Sequence, residues 1–263
     1  YEVDLAQMER EVLSGGDASK VRPGCVGLLG YSVFAYIEGQ EDKPIRLRVE
    51  GPGMWPVFTT LAPSAPRPKG EVTAVAANFY ELADSQIVLG PAATVQKIDG
   101  PVPLFVVTYS EGNVDAQLLA TLGWDALRKV ITYFSAAPFP HYSIVQEFLK
   151  PIAADHQYAL SMEHLQSGTF TLDVKLGITA ASSESEKTRV LFNFAHHMAH
   201  SWIPKRAYGE GYFPFQWELA PVFDSIWFSE GFAQYGAMDA LANALPEAEA
   251  QKFRERMIEL RFR

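Results

Sequence analysis

The sequence has only one cysteine, Cys25, among its 263 residues. A single thiol excludes an internal disulfide and any zinc site built from several cysteines. Basic residues are also few, because 22 Lys and Arg stand against 31 Asp and Glu, for a formal net charge of −9. A protein that neutralises phosphates needs a basic surface, so we do not expect nucleic acid as a partner.

Apolar runs long enough to span a bilayer are missing as well. The uncharged run 24–37 is too short for a membrane helix and is interrupted by glycines, so we expect no membrane span. The chain begins with Tyr1 and ends inside a charged helical pattern, which suggests a fragment truncated at its C-terminus. Any targeting signal would then be missing, and we expect an extracytoplasmic location.

What the sequence does contain is typical of a globular protein, with 48% hydrophobic and 13% aromatic residues. The first hundred residues are rich in strand patterns: 31–37 is aromatic and β-branched, and 45–50 alternates strictly between apolar and charged residues. Prolines and a glycine within 97–103 mark a boundary. We therefore predict a β-rich N-terminal domain over 1–98 and a second domain over 99–263.

The second domain mixes both kinds of element and becomes helical towards its end. Its predicted strands are 104–109, 142–148 and 170–174, and its predicted helices are 115–134, 186–202, 224–245 and 246–263. We expect Asp224 to cap the third of these helices. A β-rich half followed by helices indicates the α+β fold class.

Candidate metal ligands come from two of these helices. His196 and His200 are four residues apart, which stacks their side chains on one helix face. Glu230 is a lone acid in an apolar helix, where a carboxylate is costly unless it is paired or metal-bound. A catalytic zinc site takes three such protein ligands and leaves one position open. The alternative is that the histidines are an incidental pair.

Three motifs in this order resemble the gluzincin zinc metallopeptidases, and among them the glycyl aminopeptidase family. His196-x-x-x-His200-Ser201-Trp202 resembles the metal helix, and Trp227-Phe228-Ser229-Glu230-Gly231-Phe232 resembles the helix with the glutamate ligand. Ser161-Met162-Glu163-His164-Leu165-Gln166-Ser167 resembles the edge strand before them. The resemblance implies a β domain, a thermolysin-like catalytic domain, a Zn²⁺ cofactor and peptide substrates or ligands. It also implies that Glu163 binds the free amine of a substrate; the alternative is an exposed strand acid.

The sequence departs from this family at the general base. Active members have His-Glu-x-x-His, whereas His197 stands here in place of the glutamate. That glutamate takes the proton of the attacking water and passes it to the leaving amine. Either His197 acts as a weak base, or the site binds zinc and scarcely hydrolyses peptides, as a pseudoenzyme or a peptide-binding scaffold. An engineered substitution is a third reading.

Overall fold

A computed structural model describes residues 1–12, 17–212 and 224–262 of the chain, with side chains described up to residue 259. The elements of the first half are α1 (Leu5–Glu11), β1 (Lys20–Arg22), β2 (Cys25–Leu29), α2 (Gly30–Val33), β3 (Ile45–Glu50), β4 (Val57–Thr59), β5 (Glu71–Ala76), α3 (Phe79–Ala83) and β6 (Gln86–Leu89). Those of the second half are β7 (Thr94–Ile98), β8 (Leu104–Ser110), α4 (Ala116–Phe134), β9 (Tyr142–Leu149), β10 (Ala159–Glu163), β11 (Ser167–Asp173), a 3₁₀ turn (Val174–Leu176), α5 (Glu184–Ala199), α6 (Ile226–Ala242) and α7 (Glu247–Phe262). This mixture of sheets and helices is the predicted α+β class.

Two antiparallel sheets form the first half. The larger sheet has the strand order β1-β2-β6-β4, and the smaller one pairs β3 with β5. One apolar cluster joins the two sheets; its buried members are Leu82 of α3 and the strand residues Leu47, Val57, Ala76, Ile87 and Leu89. Burying one face of each sheet in this way leaves the opposite face of the larger sheet for the second half.

A mixed five-stranded sheet, in the order β10-β11-β9-β8-β7, forms the centre of the second half. Its β8, β9 and β11 are parallel, and both edge strands are antiparallel to their neighbours. Strand β7 lies in this sheet although it precedes the boundary that we place after residue 98. The division into 1–98 and 99–263 remains a prediction.

Helices cover the outer face of the five-stranded sheet. A continuous hydrophobic core joins α4, α5, α6 and α7 to the sheet, and its fully buried members include Leu104, Leu119, Leu127, Val130 and Ile144. The side chain of Asp115 accepts from the backbone N–H of Leu118 and so caps α4. The helices and the sheet therefore fix the position of α5, which carries the candidate histidines.

The interface between the four-stranded and the five-stranded sheet is half apolar and half polar. Residues of both sheets, among them Cys25, Val88 and Val107, share one apolar cluster. Beside it lies a buried ion pair in which Lys20 Nζ is 3.2 Å from Glu147 Oε2. Two pairs of polar side chains complete this polar part: Ser167 donates to Gln86 at 2.7 Å, and Thr171 donates to Glu147 at 3.3 Å.

Most predicted elements are confirmed, with shifted ends. Strands β3, β8 and β9 and helix α4 lie where the patterns place them. Helix α5 begins two residues before the predicted start and ends at Ala199, because Pro204 follows shortly afterwards. The predicted cap at Asp224 is wrong, since α6 begins at Ile226 with Ser225 in the cap position and no side-chain bond.

The strand predicted over 31–37 is also wrong, because α2 occupies its first part. The backbone of Gly30 packs against α3, where its N–H donates to the carbonyl of Ser85 at 2.8 Å. A Cβ at this position would lie 2.3 Å from the Leu82 carbonyl oxygen, so only glycine fits. Tyr36 packs its ring on Phe79, with centroids 4.8 Å apart. The aromatic residues thus serve packing rather than strand pairing.

Candidate metal centre

Helix α5 brings His196 and His200 onto one face at its C-terminal end. The helix begins with a capping box, in which Ser183 and Glu186 satisfy each other's backbone N–H groups. It ends at Ala199, and the backbone of His200 keeps a helical conformation and donates to the carbonyl of His196 at 3.3 Å. The four-residue spacing therefore places the two imidazole rings with centroids 4.5 Å apart.

Helix α6 supplies Glu230 from the opposite side. Its buried face consists of small residues, among them Ala233, Gly236 and Ala237, which allow it to pack closely on α4 and α5. A Cβ on Gly236 would lie 3.3 Å from the ring of Phe134 in α4, so α6 and α4 are in close contact there. This packing brings the Glu230 carboxylate to the two histidines.

The three side chains converge on one point. Nε2 of His200 lies 3.2 Å from Nε2 of His196, and the Glu230 oxygens lie 3.5 Å from His196 Nε2 and 3.6 Å from His200 Nε2. Two ligands that each lie about 2.1 Å from a tetrahedral zinc ion are roughly 3.4 Å from each other. The donor set and its spacing therefore fit a zinc ion.

Hydrogen bonds and charge support a cation at this point. The carbonyl of Ile203 lies 2.9 Å from His200 Nδ1 and accepts its proton, which leaves the lone pair on Nε2 to face Glu230. Burial raises the pKa of Glu230, and the negative charge of Glu163 adds to this rise while His200 opposes it. A cation held between these groups would lower the energy of the ionised carboxylate.

His197 is buried beside the cluster and is not one of its three donors. Its ring meets that of Phe170 edge to face, with centroids 5.0 Å apart, and lies 5.0 Å from His196 and 5.9 Å from His200 between centroids. His197 therefore lies next to both candidate histidine ligands and against the ring of Phe170.

Glu163 ends the edge strand β10 and is half-buried. Burial alone would raise its pKa, but the positive charges of His200 and Lys205 outweigh it and lower the pKa. Glu163 thus lies within electrostatic reach of His200, one of the candidate metal ligands. Its predicted role in binding an amine is not tested by this geometry.

A buried carboxylate of the first half, Asp84, reaches the same region, and sequence patterns did not reveal it. Asp84 follows α3, and its oxygens lie 3.2 Å from His164 Nδ1, 2.7 Å from the backbone N of Leu165 and 3.8 Å from Lys205 Nζ. These partners lie about 80 and 120 residues further along the chain. The available signal was weak: an acid at the end of a short helix before a buried strand.

Comparisons with known proteins agree with a peptidase-type fold. Residues 13–91 match the family model described as the Peptidase M61 N-terminal domain. Among solved structures, an aminopeptidase N family protein from Idiomarina loihiensis superimposes with a TM-score of 0.72 at 21% sequence identity. No curated protein sequence matches the chain.

The chain spans less than half the length of this solved relative. The solved structure is matched over 88% of this chain, which spans 40% of that protein's chain, and 21% identity shows the fold alone. Together with the family match, it supports a relationship to peptidase families. Within the described residues, no helix is both long and apolar enough to cross a membrane.

Proposed function

We propose that the chain is a gluzincin-type zinc protein with a thermolysin-like second half, whose metal is held by His196, His200 and Glu230. The observation that carries this proposal is the set of three donor distances, 3.2, 3.5 and 3.6 Å, between atoms of two helices. The family match over the first half supports it. We propose that this site binds peptides.

When bound, a zinc ion supplies Lewis acidity towards a peptide carbonyl. His196, His200 and Glu230 are the three side chains that would hold the ion. The edge strand β10 offers backbone groups along which an extended peptide can lie. These groups hold and orient a peptide, and hydrolysis additionally needs a side chain that accepts and returns a proton.

His197 is a poor candidate for that proton transfer. A neutral imidazole accepts a proton, but a nearby dication disfavours the imidazolium that results. We therefore propose slow hydrolysis or none, so that peptide binding without turnover is the favoured activity. A zinc peptidase with His197 as its base is the alternative.

Zinc binding by the full chain tests the site directly. Protein treated with a chelator is titrated with Zn²⁺ by calorimetry, and we expect one ion per chain. His200→Ala and Glu230→Gln each remove one donor and are expected to weaken binding on the order of a hundredfold. His141→Gln is the matched control, because it removes a histidine outside the cluster. Unchanged affinity in both ligand variants would exclude this site.

We further propose that Glu163 binds the free amine of a peptide ligand. Its carboxylate lies half-buried at the end of the edge strand, within electrostatic reach of the metal ligands. Charge-assisted hydrogen bonds to an ammonium are strong in such a setting. Glu163→Gln should therefore weaken binding of a peptide with a free N-terminus more than binding of its N-acetylated form, and equal losses would contradict this role.

A further inference from the structure

The region around Glu163 contains a buried cation that would compete with a ligand's amine. The Lys205 side chain is 2% exposed, and its Nζ lies 3.8 Å from Asp84 Oδ1, while the other Asp84 oxygen lies 2.7 Å from the backbone N of Leu165, two residues after Glu163. Burial opposes the charge of Lys205, and the negative charges of Asp84 and Glu163 raise its pKa. An ammonium within electrostatic reach of Glu163 offsets the negative charge that a peptide's N-terminus would need. Selective binding of a free amine therefore requires that another group compensate Lys205.

Asp84 is placed to do so. It is 5% exposed, and its Oδ1 lies 3.8 Å from Lys205 Nζ. Its remaining bonds fix it in position, because His164 and the backbone N–H of Leu165 both donate to its oxygens. Asp84 and Lys205 together carry no net charge, so the negative charge of Glu163 remains for a ligand.

We propose that Asp84 is a specificity-determining residue of the peptide site, which acts by compensating the charge of Lys205 and so keeping Glu163 available to a free amine. The inference rests on the amine-binding role proposed for Glu163. It also gives the first half of the chain a part in ligand selection, since Asp84 lies within the matched N-terminal region, 13–91.

Asp84→Asn removes the charge and keeps the shape and one acceptor. The assay measures the affinities of the chelator-treated full chain for alanyl-alanine amide and for its N-acetylated form, so that neither zinc nor turnover is needed. We expect the preference for the free amine to fall about tenfold, the scale of one lost charge-assisted contact. Circular dichroism confirms that each variant is folded.

Lys205→Met tests whether Asp84 acts by compensating the charge of Lys205 or only by holding the C-terminal end of β10 in place. In the double variant Asp84→Asn with Lys205→Met the uncompensated ammonium is gone, so the preference should return to the wild-type level. Lys205→Met alone should keep the wild-type preference for the free amine. A double variant that stays as unselective as Asp84→Asn would overturn the inference, because the loss would then come from the displaced strand end.

Glu163→Gln distinguishes a failure of the role proposed for Asp84 from a failure of the amine site itself. If it abolishes the preference while Asp84→Asn leaves the preference unchanged, the role of Asp84 is refuted and the amine site stands. If Glu163→Gln leaves the preference unchanged, the proposed amine site itself fails, and the role of Asp84 fails with it.

Discussion

The buried pair Lys20 and Glu147 holds the two sheets together, and Glu147→Gln tests its contribution to stability. The side chains are 1% and 8% exposed, and their charged atoms lie 3.2 Å apart. At an effective dielectric constant of about 20, unit charges at this distance attract by roughly 5 kcal/mol. Removing one partner of such a pair typically costs about 3–5 kcal/mol, because the other charge stays buried.

Part of this loss is offset by the contacts that remain. The carbonyl of Ala18 still accepts from Lys20 Nζ at 2.5 Å, and a glutamine at 147 still accepts from Thr171. We therefore expect Glu147→Gln to lower the free energy of unfolding by about 3 kcal/mol. The double variant with Lys20→Met should recover most of it, since no buried charge is left without a counter-charge.

Urea unfolding followed by tryptophan fluorescence measures these differences as shifts of the midpoint at constant slope. Glu71→Gln is the matched control: it removes one partner of the exposed pair Arg48–Glu71, whose charged atoms are 2.7 Å apart, and should leave the midpoint unchanged. If Glu147→Gln shifts the midpoint no more than Glu71→Gln does, or if the double variant is no more stable than the single one, the reasoning is refuted.

Two further predictions concern histidines. His197→Glu restores a carboxylate beside the metal ligands, and we expect it to raise the peptidase rate of the zinc-loaded full chain on unblocked peptides by about a hundredfold or more; a wild type of equal rate would show that His197 is a competent base. Burial lowers the pKa of His141 below its usual 6.5, although its bond to the Thr60 carbonyl opposes this. The unfolded chain then takes up the proton first, so stability should fall as the pH drops below about 6.5, and His141→Gln should flatten that dependence in urea titrations at pH 5 and 7.

Local patterns were enough to predict much of the fold. Strict alternation located β3, and helical spacing located α4, because each signal lies within one element. The spacing of His196 and His200 and the isolated acid at Glu230 likewise singled out three side chains that the structure brings together. Their role as metal ligands remains a proposal.

Features that depend on contacts between distant segments could not be predicted in this way. The strand predicted over 31–37 failed because Gly30 packs against α3, some fifty residues later in the chain. Asp84 meets His164 and Lys205, which follow it by 80 and 121 residues (164 minus 84 and 205 minus 84). Periodicity carries no information about such pairs, since it reports which face is buried and not what that face meets.

The half-polar interface between the sheets also bears on how the chain is made. The four-stranded sheet has all its strands once residue 89 has been synthesised, but the partner of Lys20 on β9 is Glu147, 58 residues later (147 minus 89). At about 5–20 residues per second, ribosomes take roughly 3–12 s over this interval. During this interval, the face of the four-stranded sheet that carries Cys25, Val88, Lys20 and Gln86 has not yet met the five-stranded sheet. The charge of Lys20 and the amide of Gln86 make this face less apolar than Cys25 and Val88 alone would make it, which lessens its tendency to associate with other chains before its partner emerges.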